Sequence, residues 1–189
     1  MGGYNTFMSV FYTRNGDDGY TGLLGEGRLP KYHPRVEAVG ALDEATAALG
    51  MARALCRSPQ TTIVLLATQR DLYALMAEVA ATPPNAARFR SIDASRVSWL
   101  EEQINSLSGQ LEAPTEFIVS GDTASGAALA LARTIVRRAE RRVAELLHTA
   151  ELENVHLLRY LNRLSSLCFG LEVLENRAEG KKSQTLAKG

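Results

Sequence analysis

Little in this chain points to covalent or metal cross-links. Its two cysteines, Cys56 and Cys168, stand alone without C-x-x-C spacing, and only three histidines accompany them in 189 residues. They read as buried thiols of a reducing compartment rather than a disulfide framework or a zinc site. No apolar run reaches the roughly 18 residues of a membrane span, and no cationic stretch leading into an apolar segment opens the sequence, so a cytoplasmic location without membrane attachment is expected. Net charge is missing as well. Twenty-one basic residues balance twenty-one acidic ones, which removes the general attraction that would draw nucleic acid or an anionic membrane. The phosphate loop G-x-x-x-x-G-K-[ST], the dinucleotide turn G-x-G-x-x-G, the metalloprotease H-E-x-x-H and the hydrolase elbow G-x-S-x-G are all absent. No Ser/His/Asp arrangement is evident either. Any chemistry is expected to rest on positioning and charge stabilisation, without a protein nucleophile.

What remains is mostly helical. The 46% hydrophobic content is ordinary for a soluble domain, and 189 residues suffice for one continuous core. Pro34 suits a first helical turn, opening a pattern that runs to about Arg57. A second helix is expected from near Thr61 to Pro83, although Thr61–Ala67 is apolar enough to imitate a strand. Residues 83–90 read as a linker. Ser91 or Asp93 can cap a third helix carrying Val97, Leu100, Ile104, Leu107 and Leu111, and Thr123 or Ser125 a fourth, running to about His148. A fifth spans about Glu153–Asn176. The expectation is an all-α, five-helix antiparallel bundle forming one domain over 1–189: a glycine-rich segment to residue 33, the bundle over 34–178, and a polar, disordered tail from 179. A short strand around Phe7–Thr13 is an open alternative.

Three features carry chemical meaning. Tyr12–Lys31, reading Y-T-R-N-G-D-D-G-Y-T-G-L-L-G-E-G-R-L-P-K, combines five glycines with Arg14, Arg28 and Lys31. It suits a loop whose backbone approaches a phosphate-rich ligand, or alternatively a flexible arm. The fourth helix carries A-R-T-I-V-R-R-A-E-R-R, in which Arg133, Arg137 and Arg141 share one slowly turning face. Leu131, Ile135, Ala139 and Leu146 are expected to face the core. Five arginines in ten residues repel one another unless anions or carboxylates neutralise them, and the guanidinium fork suits phosphate. A solvated Arg/Glu face is the alternative. Asp43 and Glu44 could be surface charges or partners for these arginines; Asn162 and Ser165 sit among leucines on the fifth helix. Glu145/His148 and Glu153/His156 form two E-x-x-H pairs, as in di-metal bundles, but they flank a turn at the bundle's end.

T-R-N-G-D-D-G-Y-T-G-L-L-G, P-K, V-G-A-L-D-E, A-R-T-I-V-R-R-A-E-R-R and L-R-Y-L-N-R-L-S, taken together and in this order, resemble the PduO-type ATP:cob(I)alamin adenosyltransferases over residues 10–176. The resemblance implies a trimer with sites between subunits. There the 5′-deoxyadenosyl group of ATP passes to the cobalt of reduced cobalamin, with Mg²⁺ on the phosphates and triphosphate released. It implies that Thr13, Arg14, Asn15, Gly16, Thr21, Gly22 and Lys31 contact ATP. Arg137, Arg138, Ala139, Glu140, Arg141 and Asn162 would complete the nucleotide site, and no protein side chain is assigned to the metal. Arg133 would pair with Asp43 across the subunit interface, and Phe117 would displace the lower axial ligand of cob(II)alamin to leave four-coordinate cobalt. A reductase and an adenosylcobalamin-dependent acceptor enzyme would be partners. The chain departs from the family pattern at Asn15, Thr46, Ser166 and Ser120-Gly121-Asp122, the last placing a negative charge near the corrin side. A carrier or sensor that binds ATP and cobalamin without transfer is the competing function, and a di-metal bundle a more remote one.

Overall fold

The computed structural model describes residues 11–112, 114–181 and 183–188. Two short antiparallel strands, β1 (Tyr20–Gly22) and β2 (Arg28–Pro30), pair with Thr21 opposite Leu29. The helices follow: α1 (Pro34–Leu55), α2 (Pro59–Ala80), α3 (Pro83–Ala86), α4 (Ala94–Ser108), α5 (Ala124–His148) and α6 (Val155–Ala178). Among the described residues there are thus six helices where five were expected, because the proline pair at 83–84 starts a single turn in the segment read as linker. No helix among them is long and apolar enough to cross a membrane. Phe7–Val10 of the suggested first strand lie outside the described residues, and 11–13 are not strand.

Local chemistry accounts for the helix ends. Asp93 caps α4 by accepting from the Arg96 amide at 3.0 Å, Thr123 caps α5 through the Gly126 amide at 2.9 Å, and Asn154 caps α6 through the His156 amide at 3.1 Å. Each side chain satisfies a first-turn N–H that has no intrahelical partner. The stretch at 61–67 is helical because its apolar positions repeat at helical spacing: Thr61, Val64, Leu65 and Thr68 are buried.

Packing order around the bundle is α2, α1, α5, α6, α4. Arg35 at the start of α1 reaches the end of α2 and the turn after α5, whereas the Arg57 and Ser58 amides reach Glu175 near the end of α6. Consecutive long helices therefore alternate in direction. The expected antiparallel arrangement still needs correcting at α4 and α6, which run side by side in the same direction. Asn154 bonds the Ile92 carbonyl at one end, Arg163 bonds Glu101 midway, and Arg177 bonds the Gln110 carbonyl at the other. Five alternating helices closed into a ring must leave one parallel neighbour pair, and this is it.

A leucine- and alanine-rich core fills the centre, with Leu42, Leu49, Leu65, Leu72, Leu129, Leu146, Leu157 and Leu161 fully enclosed. Polar ties fix the ring where α2 approaches α4. The Tyr160 hydroxyl donates to Asp71 Oδ2 at 2.5 Å, Arg96 Nε donates to the same oxygen at 2.7 Å, and the Arg96 guanidinium lies 3.8 Å from the Trp99 ring centre. Burial holds the Tyr160 phenol well above its ordinary pKa, and the Asp71 charge reinforces this.

Candidate active site

The glycine-rich segment hangs at the end of the bundle where α1 begins, called here the proximal end. Leu24 bonds to the last turn of α2: its amide donates to the Ala80 carbonyl at 2.9 Å, and its carbonyl accepts from the Thr82 amide at 3.2 Å. Buried Arg35 supports this end, donating to the carbonyls of Val79 (2.9 Å), Ala81 (3.2 Å) and Glu151 (2.6 Å) beside an ion pair to the Glu151 carboxylate. Sequence reading missed Arg35, because an arginine next to a helix-opening proline carries no mark of burial.

Arg28 organises the loop from within. Its guanidinium donates to both Asp18 carboxylate oxygens at 2.8 Å, to the Asn15 carbonyl at 2.6 Å and to the Tyr20 carbonyl at 3.2 Å. Asp18 is thereby held below the usual carboxylate range, chiefly by the Arg28 hydrogen bonds and then by the Tyr20 amide. Arg28 was counted among the cations for a ligand; it is spent as an internal clamp instead. The Lys31 amide closes the loop onto the Gly19 carbonyl at 2.9 Å, and the lysine ammonium lies 2.9 Å from where a Cβ at residue 16 would sit. A side chain at Gly16 would have to push that ammonium aside. Arg14 adopts φ 63°, a left-handed conformation costly for a non-glycine residue. Thr13, Arg14 and Asn15 are exposed, as is Gly22, while Gly16 and Thr21 are half-buried.

The second component is the outward face of α5. Arg138 leans to one side and pairs with Glu44 of α1, while Glu140 leans to the other and accepts from Asn162 Nδ2 of α6 at 2.8 Å. Asn162 is fixed in turn by Arg163, which donates to its Oδ1 at 2.9 Å and to Glu101 at 3.0 Å. Between these flanks lie Arg137 and Arg141, both exposed. The Arg141 guanidinium donates to the Arg137 carbonyl at 3.1 Å, and neither has a carboxylate partner among the described residues. Two neighbouring cations are thus left for an anion.

Two expectations on α5 need adjustment. Leu131 is 48% exposed and not part of the core, whose α5 contribution comes from Ala128, Leu129, Ala132, Val136, Ala139, Val143 and Leu146. Ala139 has no exposed surface in this chain, so it packs the helix against its neighbours and offers a ligand nothing directly. The two E-x-x-H carboxylates are engaged elsewhere: Glu145 faces Arg142, and Glu153 faces Arg90. Among the described residues no three His, Cys, Asp or Glu side chains converge as metal ligands.

The third component lies towards the distal end. Phe117 is 89% exposed and edges a cavity of about 400 Å³ lined also by Ile118, Ser120, Arg133, Phe169 and Glu172. Arg133 Nε and Glu172 Oε1 are buried there without a hydrogen-bond partner among the described residues. Burial raises the Glu172 carboxyl above its ordinary value, partly offset by Ser120 and the Arg133 charge. Asp43 is exposed on α1 and forms no ion pair with Arg133 in this chain among the described residues. Phe169 and Glu172 were not singled out from sequence, where they read as ordinary positions of an amphipathic helix.

The α5 face reaches the Phe117 cavity through Arg133, but the glycine-rich loop stands apart from both within one chain. The glycine-rich loop is proximal and Phe117 distal, with the 25-residue α5 between them. No hydrogen bond or ion pair joins residues 12–31 to α5 among the described residues.

Comparison with known proteins settles the affiliation. The family model for cobalamin adenosyltransferase matches residues 11–175. The chain belongs to this family. The corrinoid adenosyltransferase PduO of Citrobacter freundii is 38% identical over 168 residues, covering 88% of this chain and 50% of its own length. The chain therefore spans about half the length of that relative. The corrinoid adenosyltransferase of Bacillus subtilis is 36% identical, with 89% of this chain and 88% of the relative covered. Among solved structures, a variant PduO-type ATP:corrinoid adenosyltransferase from Lactobacillus reuteri, complexed with cobalamin and ATP, superposes with a TM-score of 0.85. It is 32% identical over 95% of this chain and 99% of that one.

Proposed function

We propose that this member of the family transfers the 5′-deoxyadenosyl group of ATP to the cobalt of reduced cobalamin, releasing triphosphate. The observation that carries this reading is the exposed Arg137/Arg141 pair on α5, two adjacent guanidinium groups without carboxylate partners among the described residues, beside a tightly organised neighbour set. The cobalt(I) centre of the substrate is itself the nucleophile. Its electron pair forms the bond to C5′, the C5′–O bond breaks, and triphosphate leaves with that bond's electrons. The protein has then to hold C5′ in line and neutralise charge growing on the leaving group, which is work for arginine, lysine and backbone N–H groups.

In this reading Thr13, Arg14, Asn15, Gly16, Thr21, Gly22 and Lys31 hold the phosphates. Arg137, Arg138, Glu140, Arg141 and Asn162 close the nucleotide site from a neighbouring subunit, a reading supported by the lack of any hydrogen bond or ion pair between the two sets among the described residues. Arg133 meets Asp43 of that neighbour, and Phe117 takes the lower face of cobalamin, its exposed ring offering the apolar surface that excludes an axial ligand. Mg²⁺ would be carried by the phosphates, since Asp18 already has both oxygens on Arg28. A homotrimer working in the cytoplasm with a cobalamin reductase and an acceptor enzyme fits this scheme.

The test is anaerobic incubation with ATP, Mg²⁺ and chemically reduced cobalamin, followed by absorbance and triphosphate release. Adenosylcobalamin and triphosphate in equal amounts are expected. Binding of both ligands with no Co–C bond formed would reject the enzyme in favour of a carrier or sensor.

A further inference from the structure

The tail beyond α6, expected to be disordered, instead returns to the Phe117 segment. The Val119 amide donates to the Thr185 carbonyl and the Ala187 amide to the Phe117 carbonyl, both at 2.8 Å, with Ile118 opposite Leu186 in an antiparallel bridge. Asp122 holds the start of this strap with both oxygens. Oδ2 accepts from the Thr185 amide at 2.9 Å and Oδ1 from the Thr185 hydroxyl at 2.6 Å. Those bonds draw the Asp122 carboxyl below the usual carboxylate range. The preceding Gly121 has φ +126°, which a residue with a side chain rarely adopts, and this turn brings Asp122 back towards the strap.

The contacts form a circuit. Thr123, next to Asp122, donates to Asn176 Oδ1 at 2.7 Å, and Asn176 Nδ2 donates to Gln184 Oε1 at 2.6 Å, the residue before Thr185. Asn176 is buried on α6, so the circuit is anchored in the bundle. Phe117 itself is on a long connection between α4 and α5 and buries almost no side chain. Its place therefore depends on hydrogen bonds made by its backbone and its neighbours.

We infer that Asp122 and Thr185 clasp the tail onto the Phe117 segment, making Asp122 a positioning residue that acts through Phe117 on cobalamin. The kinetic part of this inference rests on the adenosyltransferase reading. The acidic departure at 120–122 then serves as the latch of a β-strand addition, in which main-chain bonds hold an extended segment and a side chain secures its register.

The test compares Asp122→Ala and Thr185→Val with Thr185→Ser, which keeps the hydroxyl. In Asp122→Ala and Thr185→Val we expect the KM for cobalamin to rise roughly tenfold, on the scale of one charge-assisted hydrogen bond. The four-coordinate fraction of bound cob(II)alamin, read by electron paramagnetic resonance, should fall, the KM for ATP should stay within about twofold, and Thr185→Ser should behave as wild type. Unchanged cobalamin constants, or equal damage to both substrates, would overturn the clasp. Hydrogen exchange at the Val119 and Ala187 amides supplies a readout without turnover: Asp122→Ala should accelerate it, and an unchanged rate also overturns the inference. If wild-type protein forms no adenosylcobalamin, the proposed function fails while exchange still judges the clasp.

Discussion

Replacing Arg137 by alanine separates charge stabilisation from folding. The guanidinium is exposed and without a carboxylate partner among the described residues, so its removal strips no buried contact. Alanine is a slightly better helix former than arginine, and substitutions at such surface positions usually stay within about 0.5 kcal/mol. Arg141 keeps its anchor as well, because it bonds the carbonyl of residue 137, which every substitution retains. The cost should therefore fall on the reaction. Loss of one preorganised donor facing developing negative charge is worth about 2.7–4 kcal/mol, or roughly 10²–10³ in kcat. Single-turnover formation of adenosylcobalamin, read at saturating ATP and cobalamin beside a urea titration, measures both quantities. Arg137→Lys restores the charge but not the fork, and an intermediate rate is expected. A variant that loses stability and keeps its rate would refute the assignment and return Arg137 to the surface.

Phe117→Ala should leave the urea midpoint and ATP affinity unchanged, because the ring is almost wholly exposed, yet slow adenosylation started from cob(II)alamin; equal loss of ATP binding would argue against its placement on the corrin side. Arg35→Ala should destabilise by about 3–5 kcal/mol, since it leaves the Val79, Ala81 and Glu151 carbonyls unpaired at the proximal end; equilibrium unfolding checks this, and a loss below about 1 kcal/mol would contradict it. Glu172 binds its proton more tightly folded than unfolded, so its ionisation opposes folding. That penalty is absent below its ordinary value of 4.5 and grows as pH rises towards the raised folded value. Glu172→Gln should accordingly stabilise the protein at pH 7 and lose that advantage near pH 4, as denaturant midpoints across that range would show.

The helices and the cationic stripe were legible because both are written in short-range patterns. Helix caps at Asp93 and Thr123 need only their own first turns, and the i, i+4 spacing of Arg133, Arg137 and Arg141 places them on one face in any helix. Leu131 shows the limit of such reading: periodicity marks it apolar, but only the actual neighbours α1 and α6 decide which side of α5 is covered.

What the amino-acid order determined by itself was thus the mostly helical composition, the positions of five long helices and a run of arginines needing an anion; the small β1/β2 ribbon in the glycine-rich segment departs from the all-α expectation. Tertiary structure alone decided which of these charges stay available. Arg28 is consumed by Asp18 and the loop carbonyls, Arg35 by the carbonyls of two distant turns, and Arg138 is steered aside by Glu44 while staying half-exposed. It also set α4 beside α6 in the same direction and folded residues 185–187 onto Phe117. Apart from the Arg28 clamp, which closes within its own loop, each of these joins residues far apart in the chain through polar contacts that no local periodicity encodes. Such contacts form only once burial of the leucine core has brought the helices together, so their partners cannot be read before the ring has closed.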